Sequence, residues 1–140
     1  MRLFSNCALI LVLVLALAAT ACDNKQTTLP TAPEVVKTTE TFTGTIGING
    51  AATHAFFTTG IGTLTATLTV LDPAETETIG LSMGTWNGVT CAIVLANDKA
   101  VLTSVVTGAV STSVGSLCVR VYDTGGLVGP TNYEVQVVHP

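Results

Sequence analysis

The feature that most constrains the fold of this sequence is a strict alternation of threonine with apolar residues. It is clearest in the stretch GTLTATLTVLDP, where every second position is apolar: Leu64, Ala66, Leu68 and Val70. A period of two places successive side chains on opposite faces of a β-strand. Threonine suits the solvent-exposed face because it is both β-branched and polar. The stretch therefore predicts a half-buried strand with one face turned to a core.

The same alternation recurs along the chain and predicts about eight strands, near residues 40–48, 53–59, 62–71, 77–84, 89–96, 100–107, 114–123 and 131–138. Between them, Asn49-Gly50 and Asn87-Gly88 predict two-residue hairpins. Further reversals are predicted at Asp72-Pro73, Asn97-Asp98 and Gly125-Gly126. No stretch has a convincing helical period. The predicted fold class is therefore all-β, an antiparallel β-sandwich or barrel.

The N-terminus has the pattern of an export signal. Arg2 supplies a positive charge, an apolar stretch follows, and small residues at 19–21 precede Cys22. The apolar stretch, 7–21, is shorter than the roughly 20 residues that a membrane-spanning helix needs. Residues 1–21 are therefore predicted to be a cleaved signal peptide.

Ala19-Thr20-Ala21-Cys22 resembles the lipobox of bacterial lipoproteins, with Ala19 where leucine is most common. The resemblance implies that Cys22 receives diacylglycerol and a further fatty acyl chain such as palmitate. Several acyl chains give a durable anchor, whereas a single one binds marginally. The expected location is outside the cytosol, anchored by lipid to a bacterial membrane and facing the periplasm or the exterior. The alternative is a plain secreted protein that begins at Cys22.

Residues 22–39 have two prolines, many threonines and few large apolar side chains. Such a segment cannot build a core, so it is predicted to be a flexible tether. The domain organisation expected is a signal peptide at 1–21, the lipid-anchored tether at 22–39 and a β-sandwich domain at 40–140.

The net charge of the chain limits the classes of partner that it can bind. Five Lys and Arg stand against nine Asp and Glu, and Arg2 is lost with the leader. An acidic chain with no basic cluster cannot hold nucleic acid electrostatically, nor can it bind lipid headgroups by charge. The expected partners are the membrane, through the lipid anchor, and an envelope protein or glycan of unknown identity.

Two cysteines remain in the predicted domain, Cys91 and Cys118. In an exported protein such a pair most often forms a disulfide. A metal site is the competing interpretation, but two thiols without a nearby histidine make a poor ligand set. Neither a metal nor a cofactor is expected. By parity Cys118 shares a face with Arg120 and Tyr122, opposite the more apolar face, and the sequence does not decide whether the bond crosses the core.

The segments FTGTIG, HAFFTTGIGTLTATLTVLDP and LCVRVYDTGGLVGPTNYEVQVVHP, in this order, resemble the bacterial pre-peptidase C-terminal domain and its relatives. The resemblance covers roughly residues 40–140 and implies a jelly-roll-like sandwich of about eight strands. The chain lacks the acidic clusters that bind calcium in some related domains.

Few residues are candidates for catalysis or for cation binding. His54 is expected at the surface or at a strand end, on the same face as Phe56, and His139 in a C-terminus that frays. Glu75 and Glu77 are expected to form a solvated turn, with a weak cation site as the alternative. No catalytic residue is predicted.

Trp86 is the best candidate ligand contact, because it stands beside a turn and an exposed ring can pack against a sugar. The competing interpretation is that Trp86 folds back over the end of the sandwich.

Together these features predict a non-catalytic lipoprotein of the cell envelope, a β-sandwich binding or structural module displayed at a membrane surface. The alternative is a carbohydrate- or cation-binding accessory domain of an exported system. A small hydrolase ranks third.

Overall fold

The computed structural model describes residues 35–73 and 78–140, and these residues form eight β-strands. The strands are β1 (Thr38–Ile46), β2 (Ala51–Thr58), β3 (Gly62–Asp72), β4 (Ile79–Trp86), β5 (Cys91–Ala100), β6 (Val105–Val110), β7 (Gly115–Asp123) and β8 (Thr131–His139). The described residues include no helix, and so none that is long and apolar enough to cross a membrane. The predicted leader, Cys22, residues 22–34 of the tether, and Glu75 and Glu77 lie outside the described residues.

The strands form two four-stranded antiparallel sheets. Sheet A has the order β1-β8-β3-β6, and sheet B has the order β2-β7-β4-β5. Apart from β4 and β5, which are neighbours in sheet B, successive strands lie in different sheets, in the double Greek-key order of a jelly roll. The predicted all-β, jelly-roll-like sandwich is confirmed.

The core lies between the sheets and is built from every second residue of the central strands. In β8 the inward residues Tyr133, Val135 and Val137 are buried, and the residues between them are more exposed. Across the core, sheet B contributes buried residues that include Leu81, Met83, Val119 and Val121. The removal of this apolar surface from water is the main contribution that holds the two sheets together.

The alternation in β3 is interrupted where the sequence did not indicate it. Leu64, Ala66 and Leu68 are buried as predicted, but Val70 is 41% exposed. A β-bulge between Leu68 and Val70 shifts the register against β8, so that Leu71 takes the next buried position. The prediction that Val70 shares the inward face is wrong for this reason.

The predicted reversal at Asn97-Asp98 is also wrong, because both residues lie inside β5. The side chain of Asn97 accepts the N–H of Lys99 at 3.1 Å, where the register against β4 shifts. The chain reverses at 101–104 instead, and Ser104 closes this turn through hydrogen bonds with the backbone of Val101, two contacts of 2.9 Å each.

The Asn49-Gly50 turn is not a hairpin, since β1 and β2 belong to different sheets. Asn49 has the positive φ expected of a turn residue, 56°. Its N–H donates to the Asp123 carboxylate at 2.7 Å. That carboxylate also accepts N–H groups from the loop after β7, and these hydrogen bonds, with that of Asn49 foremost, lower the pKa of Asp123. The turn therefore links the two sheets.

The strand directions place several segments at one end of the sandwich. Thr38 pairs with His139, so β1 begins where β8 ends. β2 runs back to this end, and β4 runs parallel to β2 because both pair antiparallel with β7. Trp86 and the loop 87–90 therefore lie at the end where β1 begins.

Candidate functional site

The outer face of sheet B carries an irregular group of side chains. On β7, Leu117, Val119 and Val121 pack towards the core. Cys118, Arg120 and Tyr122 consequently point to the opposite, outer face. The ambiguity of the sequence is thereby settled: the disulfide lies on the outer face of sheet B and does not cross the core.

The predicted disulfide between Cys91 and Cys118 is confirmed, and it joins β5 to β7 across the intervening strand β4. Cys118 is fully buried beneath this connection. The first residues of β5 must come close to β4 to make it. A Cβ at Gly84 would lie only 2.0 Å from the carbonyl oxygen of Ala92, so this approach requires glycine at 84.

A second glycine of β4 makes room for Tyr122. A Cβ at Gly80 would lie 2.2 Å from the Tyr122 ring. The Tyr122 hydroxyl donates a hydrogen bond to the carboxylate of Asp98 on β5. Burial and this carboxylate raise the pKa of Tyr122 to about 12. The ring is thus held against the sheet at one side and through its hydroxyl at the other.

Arg120 lies beside this ring. Its guanidinium carbon is 5.3 Å from the centre of the Tyr122 ring, within the range of a cation–π interaction. The Arg120 side chain is half-buried. Arg120 and Lys99 are the two basic residues in 40–140. The positive charge of Arg120 therefore lies against the Tyr122 ring, in a domain where Asp and Glu outnumber Lys and Arg.

Arg120 and Trp86 line a hollow of about 400 Å³ on this face, together with Thr53, Val89, Thr90 and Cys91. Trp86 is half-buried at the end of β4, and the residues of the turn after it are exposed. Its indole thus bounds an open depression beside a guanidinium and threonine hydroxyls. We call this depression, defined by these six residues, the Trp86 hollow.

Asn87 fixes the conformation of the loop 87–90, which supplies Val89 and Thr90 to the lining of the Trp86 hollow. Its side-chain oxygen accepts the N–H groups of Val89 at 2.9 Å and Thr90 at 2.7 Å. Gly88 has a φ of 96°, which favours glycine. The hairpin predicted at Asn87-Gly88 is confirmed as a β4–β5 connection, but the loop spans 87–90 rather than two residues, because the Asn87 side chain closes a wider turn.

The two histidines lie between the sheets, towards β1 and β2. His54 stacks on Phe42 with ring centroids 4.9 Å apart, and its Nε2 is 2.8 Å from the Tyr133 hydroxyl. Burial lowers the pKa of His54 and raises that of Tyr133. His54 does share the inward face with Phe56, yet it lies in the middle of β2, so its expected position at the surface or a strand end is wrong.

His139 is only 3% exposed, and the expected fraying of the C-terminus is wrong because β8 extends through this residue. Its Nε2 is 3.0 Å from a carboxylate oxygen of Glu40. The partners of the two imidazoles are therefore a phenol, a carboxylate and a backbone carbonyl. Residues 35–73 and 78–140 contain no group of three or more His, Cys, Asp or Glu side chains placed to hold a metal ion.

A second hollow, of about 300 Å³, opens between the sheets at β5 and β6. Its lining is mainly apolar and includes Leu64, Met83, Leu95, Val110 and Leu117. No charged side chain lines it. It can accommodate apolar groups but offers no group for acid–base chemistry.

The sequence indicates Trp86 as a ligand contact, but it does not indicate Arg120 or Thr53. A signal for Arg120 is nevertheless present, since it shares parity with Cys118 and Tyr122 on a strand whose other face is apolar. Thr53 pairs with Arg120 across β2 and β7, and this pairing of strands distant in sequence has no local signal.

No family model and no curated protein matches the chain. Among solved structures, the crystal structure of the Yersinia pseudotuberculosis-derived mitogen (YPM) is similar. The TM-score is 0.52 and the sequences are 16% identical, with 75% of this chain and 88% of that chain covered. At this identity the likeness concerns the fold, and the neighbour is likewise a β protein.

Proposed function

We propose that this chain is a non-catalytic cell-envelope lipoprotein whose β-sandwich binds a ligand through the Trp86 hollow. Cleavage before Cys22 and acylation of that cysteine would anchor it to a bacterial membrane, facing the periplasm or the exterior. The lipobox-like segment supports the anchor, and the Cys91–Cys118 disulfide fits an oxidising compartment. The jelly-roll strand order supports kinship of residues 40–140 with the pre-peptidase C-terminal domains.

The observation that carries the binding role is the half-buried Trp86 beside Arg120 in an open depression. Sites for small molecules are concave, with an apolar or aromatic wall and a few polar groups that fix orientation. The Trp86 hollow combines these elements on a face braced by a disulfide. A carbohydrate-binding role is the favoured form of the proposal, because an indole can pack against a pyranose while hydroxyl and guanidinium groups bond its substituents.

A glycan array probed with the full chain tests the binding role. We expect a set of glycans to bind, and Trp86→Ala to weaken that binding about tenfold or more by removing the aromatic wall. Val128→Ala is the matched control, because Val128 is 86% exposed and belongs to a loop at the opposite end of the sandwich. Binding that survives Trp86→Ala unchanged would contradict the assignment of the Trp86 hollow.

Intact-mass spectrometry of protein from its native host tests the anchor. The expected mass is that of a chain starting at Cys22 with diacylglycerol and an additional acyl group. A retained leader, or an unmodified thiol on Cys22, would refute the lipoprotein assignment.

A further inference from the structure

We infer that the ligand of the Trp86 hollow is a sugar bearing a carboxylate, and that Arg120 binds this carboxylate. The inference rests on the proposed function and names the ligand class for the same site. A guanidinium carries five N–H donors and cannot lose its proton in a protein.

No carboxylate lies within ion-pair distance of Arg120 among residues 35–73 and 78–140, where the imidazole–carboxylate contact joins His139 and Glu40. Three further acids of the domain are engaged elsewhere. Asp98 accepts from Tyr122, Asp123 from backbone N–H groups and Glu134 from Thr69. A half-buried cation that no carboxylate of the described residues contacts favours binding of an anion, since the anion restores the interactions that burial takes from water.

The guanidinium is also positioned before any ligand arrives. Tyr122 lies against it, and Tyr122 is itself fixed by the space at Gly80 and by its hydrogen bond to Asp98. A planar guanidinium held by an aromatic ring presents two parallel N–H donors that match the two oxygens of a carboxylate. Less rotamer entropy is lost on binding because the side chain is already placed.

The other walls of the Trp86 hollow point to a sugar ring as the remainder of the ligand. Trp86 supplies an apolar aromatic surface, and Thr53 and Thr90 supply hydroxyl groups. A pyranose has the matching surfaces, with C–H groups on one face and hydroxyls around its edge. A volume of about 400 Å³ lies in the range of small-molecule sites, which suits one or two sugar units.

Isothermal calorimetry on the full chain tests this with two pairs of probes that differ in charge: 3′-sialyllactose against lactose, and tri-galacturonate against its methyl ester. We expect each acid to bind at least about tenfold more tightly than its neutral counterpart. Arg120→Gln should abolish this preference. Arg120→Lys should retain part of it, because the charge remains while the two-donor geometry is lost. Trp86→Ala should weaken binding of both members of a pair.

Lys99→Gln is the control variant, because it removes the other basic residue of the domain from an exposed position of β5, outside the lining of the Trp86 hollow. It should leave all four affinities unchanged. Near-ultraviolet circular dichroism of the Arg120 and Lys99 variants confirms that they keep their tertiary packing. Trp86→Ala removes the single tryptophan of the chain, so the urea unfolding midpoint serves as its control.

Equal binding of acid and neutral sugars, or an acid preference that persists in Arg120→Gln, overturns the inference. If Trp86→Ala nevertheless weakens the binding of neutral sugars, the proposed function stands without the inference about the carboxylate. Absence of binding to all four sugars also overturns the inference, and the glycan array then judges the proposed function separately. Binding of hexaglutamate in preference to the acid sugars would replace the sugar with an acidic peptide and refute the ligand class.

Discussion

The two outer faces of the sandwich differ although both belong to four-stranded antiparallel sheets. The outer face of sheet A is regular and rich in threonine, with Thr41, Thr43 and Thr45 on β1 and further threonines on β3. Its polar groups bond one another across strands, as Thr45 does with Asn132 at 2.6 Å. The outer face of sheet B carries two glycines, a disulfide, a tyrosine laid flat and the Trp86–Arg120 pair.

The difference shows how a sheet face is adapted for binding. A regular face needs only β-branched polar residues, and each is satisfied by water or a neighbour. On sheet B, Gly80 makes room for the Tyr122 ring and Gly84 for the carbonyl oxygen of Ala92. The Trp86 hollow opens on the same face, with Trp86 and Arg120 among its lining residues. The departures from simple alternation, rather than the alternation, mark the candidate site.

Removal of the disulfide should have the largest effect. Cys91→Ala with Cys118→Ala is expected to lower the free energy of unfolding by about 3–4 kcal/mol, because the closed loop restricts the unfolded chain. Urea denaturation measures the change. Thr67→Ala on the regular face should stay within about 0.5 kcal/mol. A loss below about 1 kcal/mol for the double variant would mean that the disulfide does not brace sheet B.

Gly80→Ala should have an intermediate effect. The new Cβ would lie 2.2 Å from the Tyr122 ring, so the ring must move away from the sheet and its bond to Asp98 must change. We expect a destabilisation of about 1–3 kcal/mol in thermal or urea unfolding. Gly47→Ala is the control, since nothing lies within 4 Å of a Cβ there. Equal stability of both variants would remove the argument that Tyr122 is fixed against β4.

Asp98→Asn should have the smallest effect, visible in the titration of Tyr122. The pKa of Tyr122 is raised from 10.0 to about 12 by burial, the hydrogen bond to Asp98 and the charge of Asp98. Because the folded state favours the protonated phenol, this contribution to stability is complete below pH 10 and is lost as the pH rises through about 12.

In a Tyr133→Phe background, ultraviolet absorbance follows the Tyr122 phenolate alone. Asp98→Asn should move its titration to lower pH but not fully to 10, because burial remains. Identical titrations before and after the Asp98→Asn substitution would exclude the contact.

The strand content and, along most strands, the residues that share a face could be predicted from sequence, because alternation is a local signal. Alternation located β3 and β8 almost to their ends, and parity placed Cys118 with Arg120 and Tyr122. Export chemistry was enough to predict the Cys91–Cys118 pair. These inferences need only the geometry of a single strand.

The features that alternation missed depend on contacts between distant segments. The bulge at Val70 arises in the pairing of β3 with β8. Asn97 and Asp98 stay within β5 because a register shift against β4 accommodates them there. The neighbours of Trp86 come from β2, β5 and β7, which only the sheet order brings together. His54 likewise meets Tyr133 across the core, over a separation of 79 residues.

The position of Trp86 at the end where β1 begins has a consequence for access. The loops 47–50 and 124–130 lie at the opposite end of the sandwich, because β1 ends and β8 begins there. Substitutions in these two loops should therefore leave ligand entry into the Trp86 hollow unchanged, whereas insertions at 87–90 should narrow its mouth.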